Sequence, residues 1–188
     1  MQYSWDMLEA YRGTLISGFW PSIPEMLCIT VKRFPDRIAF STIEKSKKQV
    51  ITYQEVLDSV LGIAEFLQER GIKTGDTVIL NGKNSPLWAL AYLGIQFAGA
   101  VVVPLDNQMP PERVLALSEF SDAKAIFADA EVLKKLSDSP WYAQLQASGT
   151  LLGSRDESTI CIEDIPRKPH SPLLKQLPHE DTVAAILY

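Results

Sequence analysis

The sequence has 188 residues, 46% of them hydrophobic and 22% charged, with a formal net charge of −5. That length and apolar content suit a globular domain able to bury a sizeable core. The negative balance, with no arginine-rich or aromatic-basic stripe, argues against nucleic acid as a partner, and no run of about 20 apolar residues is present to span a bilayer. No basic-then-apolar signal peptide opens the chain, so the expected compartment is cytoplasmic.

Residues 1–22 are predicted as an N-terminal helical segment, with Trp5, Leu8, Tyr11, Leu15, Ile16, Phe19 and Trp20 partly at helical spacings. Packing onto the domain is the favoured role. Peripheral membrane contact is the alternative, weakened because Arg12 is the one basic residue available for a polar face. A helix follows Pro24, with Met26, Leu27 and Val31 on one side and Phe34-Pro35 ending it. Ile38 and Phe40 then alternate with smaller neighbours, and Gln49 to Tyr53 repeats a β-branched pattern. The solvated run Lys45-Ser46-Lys47-Lys48 between them predicts an antiparallel hairpin.

Thr52-Tyr53-Gln54-Glu55 reads as a capping box, and Val56, Val60, Ile63, Ala64 and Leu67 mark the buried stripe of the helix it opens. Gly71 is placed to end that helix in a left-handed turn. Thr77 to Leu80 is a continuous apolar strand of the kind covered by helices on both faces. Asn84 or Ser85 can cap the next helix, Leu87 to Phe97, which is apolar nearly all round and so should be buried. Ala100 to Val103 is a second strand ended by Pro104. Pro110-Pro111-Glu112 opens a helix, Ala125 to Ala128 is a third strand, and Glu131 to Leu136 a short helix. The alternation predicts an α/β fold with a largely parallel, doubly wound sheet.

Residues 140–180 are less regular, with Arg167 to Pro178 as an extended, proline-rich connector and Ile160 to Ile162 as a candidate short strand. Thr182 to Tyr188 is predicted as a further strand, apolar and fully buried. A charged terminus there would be costly. The expectation is therefore the front part of a larger enzyme, ending before the loop where doubly wound sheets bind ligands. Cys28 and Cys161 are expected as buried, reduced thiols, since neither lies in a CxxC pair or beside a histidine at ligand spacing. His170 and His179 fall in the connector without an evident carboxylate or cysteine partner. No G-x-x-x-x-G-K-[ST] or G-x-G-x-x-G pattern occurs. No catalytic residue and no metal ligand are assigned.

The stretch Ile51-Thr52-Tyr53-Gln54-Glu55-Val56 resembles the (L/I)TYxEL element of the AMP-binding, adenylate-forming enzymes, which include acyl-CoA synthetases, luciferases and peptide-synthetase adenylation domains. Gly71-Ile72-Lys73-Thr74-Gly75-Asp76-Thr77-Val78 is similar to their GVKKGDRV stretch. Asn84-Ser85-Pro86 matches their NSPE helix start, and Phe97 to Leu105 resembles KAGAVVVPL. Ile23 to Leu27 and Arg33 to Phe40 look most like the long-chain fatty-acid branch. Asp181 to Tyr188 is similar to the segment leading into the family's YTSGTTGxPKG loop, with Tyr188 matching its first residue and so standing beside the loop for ATP phosphates. In residue terms these positions are scaffold: Thr52 and Glu55 cap, Gly71, Gly75 and Gly99 turn, Pro104 stops a strand.

The resemblance implies residues 23–188 as the N-terminal part of a large adenylating domain, with ATP, Mg²⁺ and coenzyme A serving the full-length enzyme and the rest of its own chain as partner. A fatty acid or other carboxylate would attack the α-phosphate of ATP, giving acyl-adenylate and pyrophosphate, and the coenzyme A thiol would then displace AMP. Coenzyme A would pass near Leu105 to Pro110 and Ala130 to Lys135, with Lys134 and Lys135 meeting its phosphates. Acyl carrier protein or a peptide-synthetase thiol as acceptor, or a non-enzymatic binding module, are the other readings. The fragment alone is expected to be inactive, and to self-associate through the apolar edge at Ala184 to Leu187.

Overall fold

The computed structural model describes residues 21–44, 47–151, 159–179 and 181–188. The predicted N-terminal helix and the tip of the lysine-rich turn lie outside the described residues. Helix α1, Ile23–Arg33, is opened by a capping box that the periodicity did not reveal. The Ser22 amide donates to Glu25 Oε2 at 2.7 Å, and the Glu25 amide returns a bond to Ser22 Oγ at 3.4 Å. Of its predicted stripe, Val31 is buried, whereas Met26 is 40% exposed because only one side of α1 meets the core.

Strands β1 (Ile38–Glu44) and β2 (Lys47–Thr52) form the predicted antiparallel hairpin, with Ser41 opposite Val50. Thr52 ends β2 and caps α2, Tyr53–Glu69, where its amide donates to Glu55 Oε2 at 2.8 Å. Gly71 follows at φ +86°, the left-handed turn that residues with a Cβ avoid.

The main sheet has five strands: β3 (Thr77–Asn81), β4 (Val101–Leu105), β5 (Ala125–Ala128), β6 (Ala147–Thr150) and β7 (Ile160–Cys161). All pairings are parallel and the spatial order is β4-β3-β5-β6-β7. The connecting helices are α3 (Pro86–Phe97), α4 (Pro111–Phe120) and α5 (Ala130–Leu136). Because successive strand residues face opposite sides, Val78, Leu80 and Phe127 pack into a core with α2 and α3. Ile79, Ile126 and Ala128 pack into a second core with α4 and α5. Helices α2 and α3 approach closely because position 94 is glycine: a Cβ there would meet the Ile63 side chain.

Three expectations need correction. The region 140–180 is less irregular than expected: besides β7, which falls on the candidate strand at Ile160 to Ile162, it supplies β6. Strand β6 escapes a propensity reading because it is Ala-Ser-Gly-Thr, and its small residues make room for Phe127, whose ring a Cβ on Gly149 would strike. The segment 181–188 is not a fully buried strand. It bridges β4 in parallel at Ala185–Val102, with the Val102 amide donating to Ala184 O at 3.1 Å and the Ile186 amide to Val102 O at 3.0 Å. Lying outside the edge strand, it leaves Val183, Leu187 and Tyr188 at 57%, 78% and 54% exposure. Cys28 and Cys161 are free thiols but only half-buried. Partial burial, helped by the nearby Glu25 carboxylate, pushes the Cys28 thiol up to about 11.

The connector is lashed across α2. The Lys168 amide donates to Asp58 O at 2.9 Å, Arg167 pairs with Glu55 at 3.1 Å and Lys168 with Glu65 at 3.0 Å. Gly62 lets the Pro166 carbonyl come down onto the helix where a Cβ would collide with it. Gly62→Ala is therefore expected to cost about 1–3 kcal/mol, the usual penalty for forcing extra bulk into a packed contact. Urea unfolding should show it as a lower midpoint at unchanged slope.

Candidate functional site

Strand β3 lies between β4 and β5, and the chain leaves β3 for α3 on one face and β5 for α5 on the other. Two adjacent strands whose exits diverge leave a crevice at their carboxyl ends, the usual ligand position of a doubly wound sheet. Polar residues gather there. Asn81, the last residue of β3, is fully buried, and its amide nitrogen donates to Asp106 O at 2.8 Å and Leu105 O at 3.4 Å. Asp106 in turn accepts the Gln108 amide at 2.8 Å, which orders the loop after β4.

Across the crevice Asp129 stands at the N-cap of α5 without capping it. Instead it reaches to the other exit loop, where Oδ2 accepts the Lys83 amide at 3.1 Å. Gly82 makes this reach sterically allowed, since a Cβ there would meet the Asp129 carboxylate and Leu151. Burial pushes the Asp129 carboxyl above the usual carboxylate range, against the opposing pull of the Lys83 N–H. Asn81 Oδ1 and Asp129 Oδ1 are both buried acceptors without a protein donor. Buried acceptors are normally satisfied, so these two are exceptions, and both stand at the carboxyl ends of the central strands.

The residues singled out from sequence do not all converge on this crevice. Lys134 and Lys135 are exposed in the last turn of α5, one turn beyond its start at the crevice. Tyr188 sets its ring edge-on against Phe120 at 5.9 Å, at the far end of α4 from the crevice. His170 is exposed, and His179, expected to lack a carboxylate partner, has Asp181 Oδ2 at 3.4 Å from Nδ1. Asn81 and Asp129 were missed. The available signal was positional: each is the first polar residue at the carboxyl end of an apolar strand that leads toward a helix. Among the described residues no group of three or more His, Cys, Asp or Glu has a metal-holding arrangement.

A carboxyl group raised by folding binds its proton more readily folded than unfolded. The stability it contributes is therefore present below the unfolded value and lost as pH rises through the folded one. Asp129→Asn should accordingly stabilise the protein at neutral pH, with the gain shrinking as acidification protonates the wild-type group. Urea melts of both proteins at neutral and acidic pH check this, and an equal gain at both would exclude the ionised carboxylate as its source.

The family model described as AMP-binding enzyme matches residues 29–188. Among curated proteins, bacitracin synthase 1 of Bacillus licheniformis is 30% identical over 139 residues, covering 72% of this chain and 3% of that protein. A long-chain-fatty-acid–CoA ligase of Bacillus subtilis (strain 168) is 34% identical over 82 residues, covering 44% of this chain and 14% of the ligase. Among solved structures, the fatty acid AMP ligase from Legionella pneumophila superposes with a TM-score of 0.64 at 19% identity, over 87% of this chain and 27% of that one. The chain thus spans only a small part of the relatives it matches.

Proposed function

The chain belongs to the family of AMP-binding, adenylate-forming enzymes, and we propose that the whole protein is an ATP-dependent fatty acid–CoA ligase. In the first step a carboxylate oxygen of the acid attacks the α-phosphorus of ATP. The new O–P bond forms as the bond to the β-phosphate oxygen breaks, and pyrophosphate leaves. In the second step the coenzyme A thiol, losing its proton, attacks the acyl carbon; the C–S bond forms and AMP departs with the C–O bond electrons. Both steps depend chiefly on positioning and charge stabilisation.

The observation that carries the fatty-acid and coenzyme A reading is the 34% identity to a long-chain-fatty-acid–CoA ligase. The similarity to bacitracin synthase 1, 30% over most of this chain, favours a carrier-bound thiol as the second reading of the acceptor. In either case the described residues supply the parallel sheet on which such a site would stand. Among the described residues no group of three or more His, Cys, Asp or Glu could hold a metal by itself, and Mg²⁺ is assigned to the phosphates of the bound ATP.

The test is ATP–pyrophosphate exchange by the whole protein across a panel of fatty acids and amino acids, followed by transfer to coenzyme A or to a phosphopantetheinylated carrier protein. Exchange with fatty acids and thioester formation on coenzyme A is the expected result. Exchange with amino acids alone, or transfer to the carrier alone, would move the assignment to the second reading. Residues 1–188 by themselves should release no pyrophosphate.

Lys134 and Lys135 are assigned to the phosphates of coenzyme A. The double change Lys134→Glu and Lys135→Glu in the whole protein should raise the KM for coenzyme A several-fold without changing that for the fatty acid. An unchanged KM for coenzyme A would remove both residues from the site.

A further inference from the structure

Among the described residues, strand β2 is paired along one edge only, with β1. Antiparallel pairing engages the N–H and C=O of alternate residues and turns those of the others outward. Outside the pairing with β1, none of the described hydrogen bonds ends on Lys48, Gln49, Val50 or Ile51. Such a row of free backbone groups is a template for a further strand, and charged side chains, lysine above all, are the common guard against it. Here the guard is partial. Lys48, toward the hairpin tip, is exposed, whereas Gln49, Val50 and Ile51 carry no charge and Val50 is 45% exposed.

A cavity of about 410 Å³ runs beside this uncharged stretch, between β2, α2, α3 and the 3₁₀ turn Ile162–Asp164. Gln49, Val50 and Ile51 line it in succession. Strand side chains alternate between faces, so a cavity against one face would meet every second side chain; three residues in a row place it along the strand edge. Its floor is apolar, formed by Ile51, Ile63, Leu87, Leu90, Ile162 and Ile165. Of the polar lining residues, Ser59 Oγ donates to Glu55 O at 2.7 Å and Arg167 is paired with Glu55 at 3.1 Å. Gln49 is exposed and stands opposite Thr42 across the hairpin. Glu163, next to the floor residue Ile162, is exposed and has no hydrogen-bond or ion-pair partner among the described residues.

We propose that this slot binds an extended peptide segment of a partner protein, added to β2 as a third strand. One apolar side chain of the peptide lies on the cavity floor, and a lysine or arginine two residues away meets Glu163. Each part of the wall selects one part of that occupant. The free strand edge bonds main-chain N–H and C=O groups, which supplies affinity without reading sequence, while pockets beside the edge read alternate side chains. Residues i and i+2 of a strand share a face, so the floor and the neighbouring Glu163 carboxylate call for an apolar and a basic residue at that spacing. A fatty acid would suit the floor, but it would leave the strand edge unbonded and bring a second carboxylate toward Glu163. The proposal does not depend on the ligase reading.

The probe is a fluorescein-labelled heptapeptide, TLTKTVT, whose leucine, lysine and valine share one face when extended; its anisotropy is followed as the whole protein is added. Saturable binding is expected. Two further peptides carry N-methyl groups, one on the amides of the leucine, lysine and valine, the other on those of the threonines. Only one of these sets can face β2, so one peptide should bind at least about tenfold more weakly than the parent and the other should match it. Glu163→Gln should weaken the parent about threefold, and Glu163→Lys should restore binding of the peptide in which glutamate replaces lysine. No saturation below about 1 mM, equal behaviour of the two N-methylated peptides, or indifference to the charge exchange would overturn the proposal. Sedimentation of the protein alone as a dimer that the peptide does not dissociate would overturn it too, giving the edge to a second copy of the chain.

Discussion

The parallel pairing of β3 with both β4 and β5 is the constraint on which the other arrangements rest. A parallel pair must be joined by a crossover, and a right-handed crossover to the left of β3 and one to its right place their helices on opposite faces. Helices α3 and α5 therefore leave adjacent strands in opposite directions. That divergence creates the crevice in which Asn81 and Asp129 meet. Even the polar residues at the other end serve β3: the Thr77 hydroxyl donates to Ser121 O at 2.7 Å, and the Lys124 amide to Thr77 O at 2.9 Å, fixing where α4 ends and β5 begins.

The electrostatics divide along the same line. On the outer surface, ion pairs such as Arg167–Glu55 join half-exposed groups, and such pairs contribute little singly. Their value is geometric, because two of them, Arg167–Glu55 and Lys168–Glu65, hold one connector to one helix. The Thr52 amide and Arg167 keep the Glu55 carboxyl low, whereas Asp129 is pushed upward by burial. Two carboxylates of similar chemistry thus have opposite tendencies: one is committed to structure, and the other is held at a cost that structure alone does not explain.

The sheet from β3 to β5 and its helices were legible because buried parallel strands are written as apolar runs and their helices carry caps and glycine stops. Strand β6 was not, since Gly149 and its neighbours are chosen to fit Phe127 rather than to favour extended backbone. The terminal segment misled in the opposite sense. Its residues are apolar enough for burial, but burial depends on what lies beyond β4, and sequence hydrophobicity carries no information about that. Asn81 and Asp129 were hidden for another reason. Each is a single polar letter, and it becomes a constellation only when the crossover brings two strand ends together.

The bridge between Ala185 and Val102 has a consequence for how the chain acquires its structure. Strand β4 sits at one border of the sheet and β7 at the other, so the polypeptide must travel back over α2 before it can complete the border where β4 lies. Pairings between residues so distant in sequence are slow to form, because the loop entropy is lost before the contact is gained. During synthesis the outer rim of β4 therefore emerges early and waits, with Val102 carrying an amide and a carbonyl still free to bond. That interval, rather than the finished fold, is when this sheet is most open to pairing with a strand from another molecule.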